Sequence, residues 1–172
     1  MKTLDGIVNK LVSIEVAKTT LEKWKKEGHK VVFTNGCFDI LHRGHVTYLA
    51  HAADFGNKLV LGLNSDASVK RQGKGEDRPI NDEESRALVL GALGFIDLIV
   101  FFEEDTPLNI ISQIRPDMLV KGADYDANER DPNSSKFIVG SDIVRSYGGE
   151  VKTVSLVEGF STTNTIQKIL NN

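Results

Sequence analysis

The chain has 172 residues, 40% hydrophobic and 26% charged, with a net charge of −3. That predicts one domain, 1–172, with a sizeable core, and it excludes both a disordered chain and a broad basic footprint for nucleic acid. No apolar run is long enough to span a membrane, no signal-peptide core opens the chain, and the single cysteine, Cys37, fits a reducing cytoplasm without a disulfide framework.

Residues 1–29 read as a lead-in of one or two helices, with Lys23, Lys25 and Lys26 beside Trp24 as a solvated face. KVVFTN (30–35), KLVLGLN (58–64), DLIVFF (97–102), DMLVKG (117–122) and EVKTVSL (150–156) read as strands. Their continuous apolar character suits parallel strands covered on both faces. After His45, the residues Val46, Leu49, Ala50 and Ala53 keep helical spacing up to Gly56. Asn81 with Glu84 resembles a capping box opening the helix DEESRALVLGAL. Thr106-Pro107 reads as an N-cap with proline at the first helical position, before Ile110, Ile111 and Ile114. The last helix starts near Ser161 and carries Ile166, Ile169 and Leu170.

This alternation predicts an α/β fold, a Rossmann-like, doubly wound, five-stranded parallel sheet of order 3-2-1-4-5. Ligands of such sheets bind at the carboxyl ends of the strands, where the order reverses. The turn NGCFDILHRGH after the first strand and KGADY after the fourth should therefore face each other across one crevice.

The first turn matches neither the dinucleotide-binding glycine pattern nor the P-loop. It holds Gly36, then His42, Arg43, Gly44 and His45 where a helix begins. Histidines three apart share a helix face, and a glycine lets a ligand come close to the backbone. Such imidazoles can donate hydrogen bonds to a phosphate whose charge grows in a transition state. A zinc pair would need further ligands, and His29 and His51 stand at poor spacings for it. Cys37 reads as a buried turn residue rather than a nucleophile.

GCFDILHRGH resembles the G-x-F-D-x-x-H-x-G-H signature of the nucleotidylyltransferase superfamily. NSDASVKRQGKGEDRPIN, ESRALVLGAL, FFEEDTP, PDMLVKGADY and LVEGFSTTNTIQKI extend the likeness to its D-glycero-β-D-manno-heptose 1-phosphate adenylyltransferases. The resemblance implies Mg2+-dependent adenylyl transfer from ATP to a sugar 1-phosphate, giving an ADP-sugar for an envelope glycan such as the lipopolysaccharide core, and pyrophosphate. It implies no metal held by protein side chains, and it suggests a homodimer.

By the same resemblance His42 and His45 hold the α-phosphate, with Asn35, Gly36, Phe38 and Gly44 around the nucleotide. Asp39 either orders the loop or touches metal-bound water. Lys74, with Lys70 and Arg71 nearby, could clamp the outer phosphates, and Arg86 is expected to reach the triphosphate. Asn64 and Asp66 are caps or nucleotide contacts, and Lys121, Gly122 and Asp124 border the adenosine or the incoming sugar phosphate. Ser161, Thr162 and Thr163 offer hydroxyls and N–H groups to a phosphate, or simply cap their helix. Related glycerol-phosphate cytidylyltransferases carry an arginine where Leu156 stands, so ATP is favoured over CTP. The alternatives are such a cytidylyltransferase, an FAD-synthetase-like enzyme, or a binding module without turnover. The polar stretch 126–137 reads as a surface insertion rather than a lid.

Overall fold

The computed structural model describes residues 2–73, 75 and 78–170. Elements follow in the order α1 (Thr3–Val8), α2 (Ile14–Lys26), β1 (Val31–Gly36), α3 (Arg43–Ala53), β2 (Lys58–Asn64), α4 (Asp66–Arg71), α5 (Glu83–Gly91), β3 (Leu98–Phe102), α6 (Leu108–Ile114), β4 (Met118–Gly122), α7 (Ser141–Ser146), β5 (Glu150–Val154) and α8 (Thr162–Leu170). The five strands form one sheet of order β3-β2-β1-β4-β5, parallel at every pairing. The expected fold class and strand order are both present.

Register explains why the strands read as continuous apolar runs. Val32 pairs with Leu59 and Met118, and all three face a core that also takes Tyr48 and Leu49 from α3 and Leu90 from α5. Their strand neighbours Val31, Phe33, Val60 and Leu119 face the opposite core, with Leu21 of α2, Ile111 of α6 and Val144 of α7. Successive strand residues point to opposite faces, so a sheet covered on both sides needs apolar residues at every position.

The lead-in is two helices, and the segment between them runs along the outer edge of β3. Ile99 N–H donates to Lys10 O at 2.8 Å and Val12 N–H to Ile99 O at 3.0 Å. The Lys10 ammonium then donates to Gly91 O and Leu93 O at the end of α5. The triple-lysine face is only partly solvated, because Lys25 lies 3.6 Å from Asp117 and also donates to Arg115 O.

Two caps differ from the sequence reading. Helix α5 is capped by Asp82, whose Oδ1 accepts from Ser85 N–H at 2.7 Å. Asn81 instead donates its backbone N–H and its side-chain amide to Asp39, both at 2.9 Å. Helix α6 begins at Leu108, with Pro107 in the cap position and no side-chain cap from Thr106. The short helices α4 and α7 had no periodic signal of their own.

Candidate active site

The carboxyl ends of β1 and β4 open on a cavity of about 350 Å3. Its walls bring together Asn35, Gly36, Phe38, Asp39, His42, Gly44 and His45 from the first turn, Lys121, Gly122 and Asp124 from the fourth strand, and Ser161, Thr162 and Thr163 from the start of α8. The two turns expected to face each other do so.

The histidines are fixed by the way α3 starts. His42 is its N-cap, and His42 Nδ1 accepts the N–H of His45 at 3.3 Å. The two rings stack with centroids 3.7 Å apart and an interplanar angle of 16°, and Phe38 meets His45 edge-on at 5.2 Å. Burial pushes the His42 pKa below its ordinary value. A neutral imidazole that accepts at Nδ1 carries its proton on Nε2. His42 Nε2 is buried and has no hydrogen-bond partner among the described residues. A buried donor left unsatisfied is costly, so this N–H is preset for an acceptor that enters the cavity at the positive end of an 11-residue helix.

The glycines keep the space open. A Cβ on Gly36 would lie 2.8 Å from the Phe38 ring, and one on Gly44 would lie 3.1 Å from both the His42 ring and Phe160 Cβ. Phe38 itself sits at φ 46°, an uncommon conformation for a bulky residue, with its ring edge-on to His45. Beneath the site, the Tyr48 hydroxyl lies 2.7 Å from Thr34 Oγ1 and donates to Val120 O at 3.1 Å, tying α3 to β1 and β4. Opposite, Lys121 Nζ stands 3.3 Å from Asn35 Oδ1 and 5.1 Å over the Tyr125 ring. Ser161 Oγ accepts from Asn164 N–H at 3.0 Å, so it caps α8 at the cavity rim.

Three expected residues, Arg86, Asp66 and Asn64, stand elsewhere among the described residues. Lys74 lies outside the described residues. The Arg86 side chain is fully buried. It donates from Nη1 to Cys37 O at 2.7 Å, from Nη2 to Asp66 Oδ1 at 2.7 Å and from Nε to Asn81 O at 3.0 Å. Asp66 is thus Arg86's partner, and Asn64 is buried with its amide on Ser68 Oγ at 3.0 Å. Of the nearby cations, Arg71 is turned to Asp105 at 2.7 Å and to Glu103 O. Asp39 lines the cavity, yet its carboxylate accepts from Arg78 Nε at 2.5 Å and from the N–H groups of Ile80 and Asn81 at 2.9 Å each. Of the two roles open to it, the geometry favours ordering the loop. None of residues 126–137 lines the cavity, in keeping with a surface insertion.

Cavity residues that the sequence reading did not single out are Tyr48, Arg78, Tyr125, Val157 and Phe160. Phe160 lies beside His42 with centroids 6.4 Å apart, and the Arg43 guanidinium sits 5.5 Å over its ring. Arg78 stood in the basic stretch KRQGKGEDR, where only its carboxylate partner could have distinguished it from its neighbours. Among the described residues, no group of three or more His, Cys, Asp or Glu could hold a metal ion. No helix among them is long and apolar enough to cross a membrane.

Comparison with known proteins agrees with this architecture. The cytidylyltransferase-like family model matches residues 33–168. Bifunctional protein HldE of Campylobacter concisus is 56% identical over 161 residues, and that of Magnetococcus marinus 53% identical over 161. Each alignment covers 94% of this chain, which spans only 31% of the relative's length. The lipopolysaccharide core biosynthesis protein from Thermoplasma volcanium superposes with a TM-score of 0.57 at 27% identity, over 76% of this chain and 98% of that one. Pantothenate synthetase from Thermus thermophilus reaches 0.60 at 18% identity, over 90% of this chain and 66% of its own, a likeness of fold alone. The chain belongs to the cytidylyltransferase-like family.

Proposed function

We propose that this domain transfers an adenylyl group from Mg·ATP to a sugar 1-phosphate, with D-glycero-β-D-manno-heptose 1-phosphate as the acceptor. An oxygen of the sugar phosphate attacks the α-phosphorus, the α–β anhydride bond breaks, and pyrophosphate leaves. The observation that carries the reading is the buried His42 Nε2, without a protein partner among the described residues and stacked on His45 at the start of α3. Nucleotidyl transfer is helped mainly by positioning and by donors preset for charge that grows on phosphate. No covalent nucleophile is required.

Mg2+ bound to the phosphates would neutralise part of their charge. Leu156 lines the cavity where related cytidylyltransferases carry an arginine, and this supports ATP over CTP. The heptose rests on the motif likeness and on identity above half to proteins named HldE. The work of such an enzyme belongs in the cytoplasm, where ATP is available.

The test is pyrophosphate release with Mg2+, offering ATP and CTP in turn with the heptose phosphate, hexose 1-phosphates and glycerol 3-phosphate. Release confined to ATP with the heptose supports the proposal. Release confined to CTP with glycerol phosphate would keep the histidine chemistry and replace both substrates.

A further inference from the structure

We propose that Arg78 is a further catalytic residue, the cation that meets the outer phosphates as pyrophosphate departs, and that Asp39 is the residue that positions it. The inference rests on the nucleotidyl-transfer reading above and assigns a part of the site that the signature histidines do not cover.

Charge must be met on the leaving group as well as at the α-phosphorus. The cations near the first turn are mostly engaged elsewhere. Arg86 has its Nε, Nη1 and Nη2 on Asn81 O, Cys37 O and Asp66. Arg71 is held by Asp105 and Glu103 O. Lys121 sits across the cavity against Asn35 and Tyr125. Arg78 differs from these. It lines the histidine cavity and is only 8% exposed. Its Nε is fixed on Asp39 Oδ2 at 2.5 Å, and its two terminal nitrogens donate to nothing among the described residues.

Asp39 supplies the rigidity. Its side chain is fully buried, and its two oxygens also accept the N–H groups of Ile80 and Asn81. The carboxylate therefore grips the chain on the far side of Arg78 as well as the guanidinium itself. A planar guanidinium anchored by Nε presents its remaining donors as a fork, the geometry that suits phosphate oxygens. A donor whose place is set before the reaction needs no reorganisation as charge develops.

The experiment measures inorganic pyrophosphate affinity by calorimetry and pyrophosphate release at saturating ATP, for wild type, Arg78→Gln, Arg78→Lys, Asp39→Asn and the Asp39→Asn/Arg78→Gln pair. Arg78→Gln should lower kcat about 100-fold and weaken pyrophosphate binding, with KM for the sugar phosphate unchanged. Asp39→Asn should weaken pyrophosphate binding when Arg78 is present and have little effect when it is already Gln, the coupling expected of a positioning residue. Wild-type pyrophosphate affinity in a folded Arg78→Gln, or additive effects of the two substitutions, would overturn the proposal. Should Arg78→Gln not fold, Arg78→Lys decides by the same affinity, with a loss of about tenfold at unchanged melting temperature as the supporting result. A wild-type enzyme that binds pyrophosphate through Arg78 yet transfers no nucleotide would sink the transfer reading and leave the phosphate contact standing.

Discussion

His42 joins structure and chemistry in one ring: Nδ1 closes the first turn of α3 and Nε2 faces the cavity. His42→Asn keeps an N-capping side chain and removes the phosphate donor. It should cut kcat for pyrophosphate release by about 100-fold or more, while urea unfolding stays near wild type. A pH effect follows from the same burial. The folded-state pKa of His42 lies below its ordinary value, so the unfolded chain takes up the proton first as pH falls. Stability from this residue is complete above about pH 6.5 and is lost as pH falls from there through the folded pKa. Denaturation midpoints between about pH 7.5 and 5.5 should decline in wild type, and the share of that decline due to position 42 should vanish in His42→Asn. The sequence made the histidines legible because their motif is contiguous. Arg78 was not legible, because its significance comes from a carboxylate 39 positions away.

At the scale of elements, the strands were readable because burial on two faces marks every position, and the longer helices because their apolar spacing repeats. The start of α5 was not. Asn81 and Asp82 are equally good caps by type, and the cap is Asp82 while the Asn81 side-chain amide is turned to Asp39 O. Helices α4 and α7 have six residues each, too few for a period to emerge. Arg86 shows the same limit, since a sequence displays a charge without its partners. Its guanidinium joins the first turn, the start of α4 and the start of α5. Arg86→Met should remove the donors to Cys37 O, Asn81 O and Asp66 and cost about 3 kcal/mol of unfolding free energy. Urea titration would measure it, and a loss below about 1 kcal/mol would contradict this view of the hub.

For the whole molecule, alternation of strand and helix with the switch-point rule was enough to place the crevice, and among the described residues all the expected ones but Asn64, Asp66 and Arg86 line it. Because the cavity is built from both halves of the sheet, a ligand there should stabilise the chain as one unit. Mg·ATP at 100 times its Kd should add about 2.7 kcal/mol, seen as a single sharper melting transition at higher temperature. The segment along β3 has a different consequence. Leu98, Ile99, Val100, Phe101 and Phe102 form an outermost strand whose free rim is guarded by Lys10 and Val12. Deprived of that guard, five β-prone apolar residues would offer an open ladder to another molecule. A chain lacking residues 2–12 should therefore associate through sheet extension as its concentration rises, with thioflavin fluorescence and light scattering increasing together, whereas the intact chain stays clear.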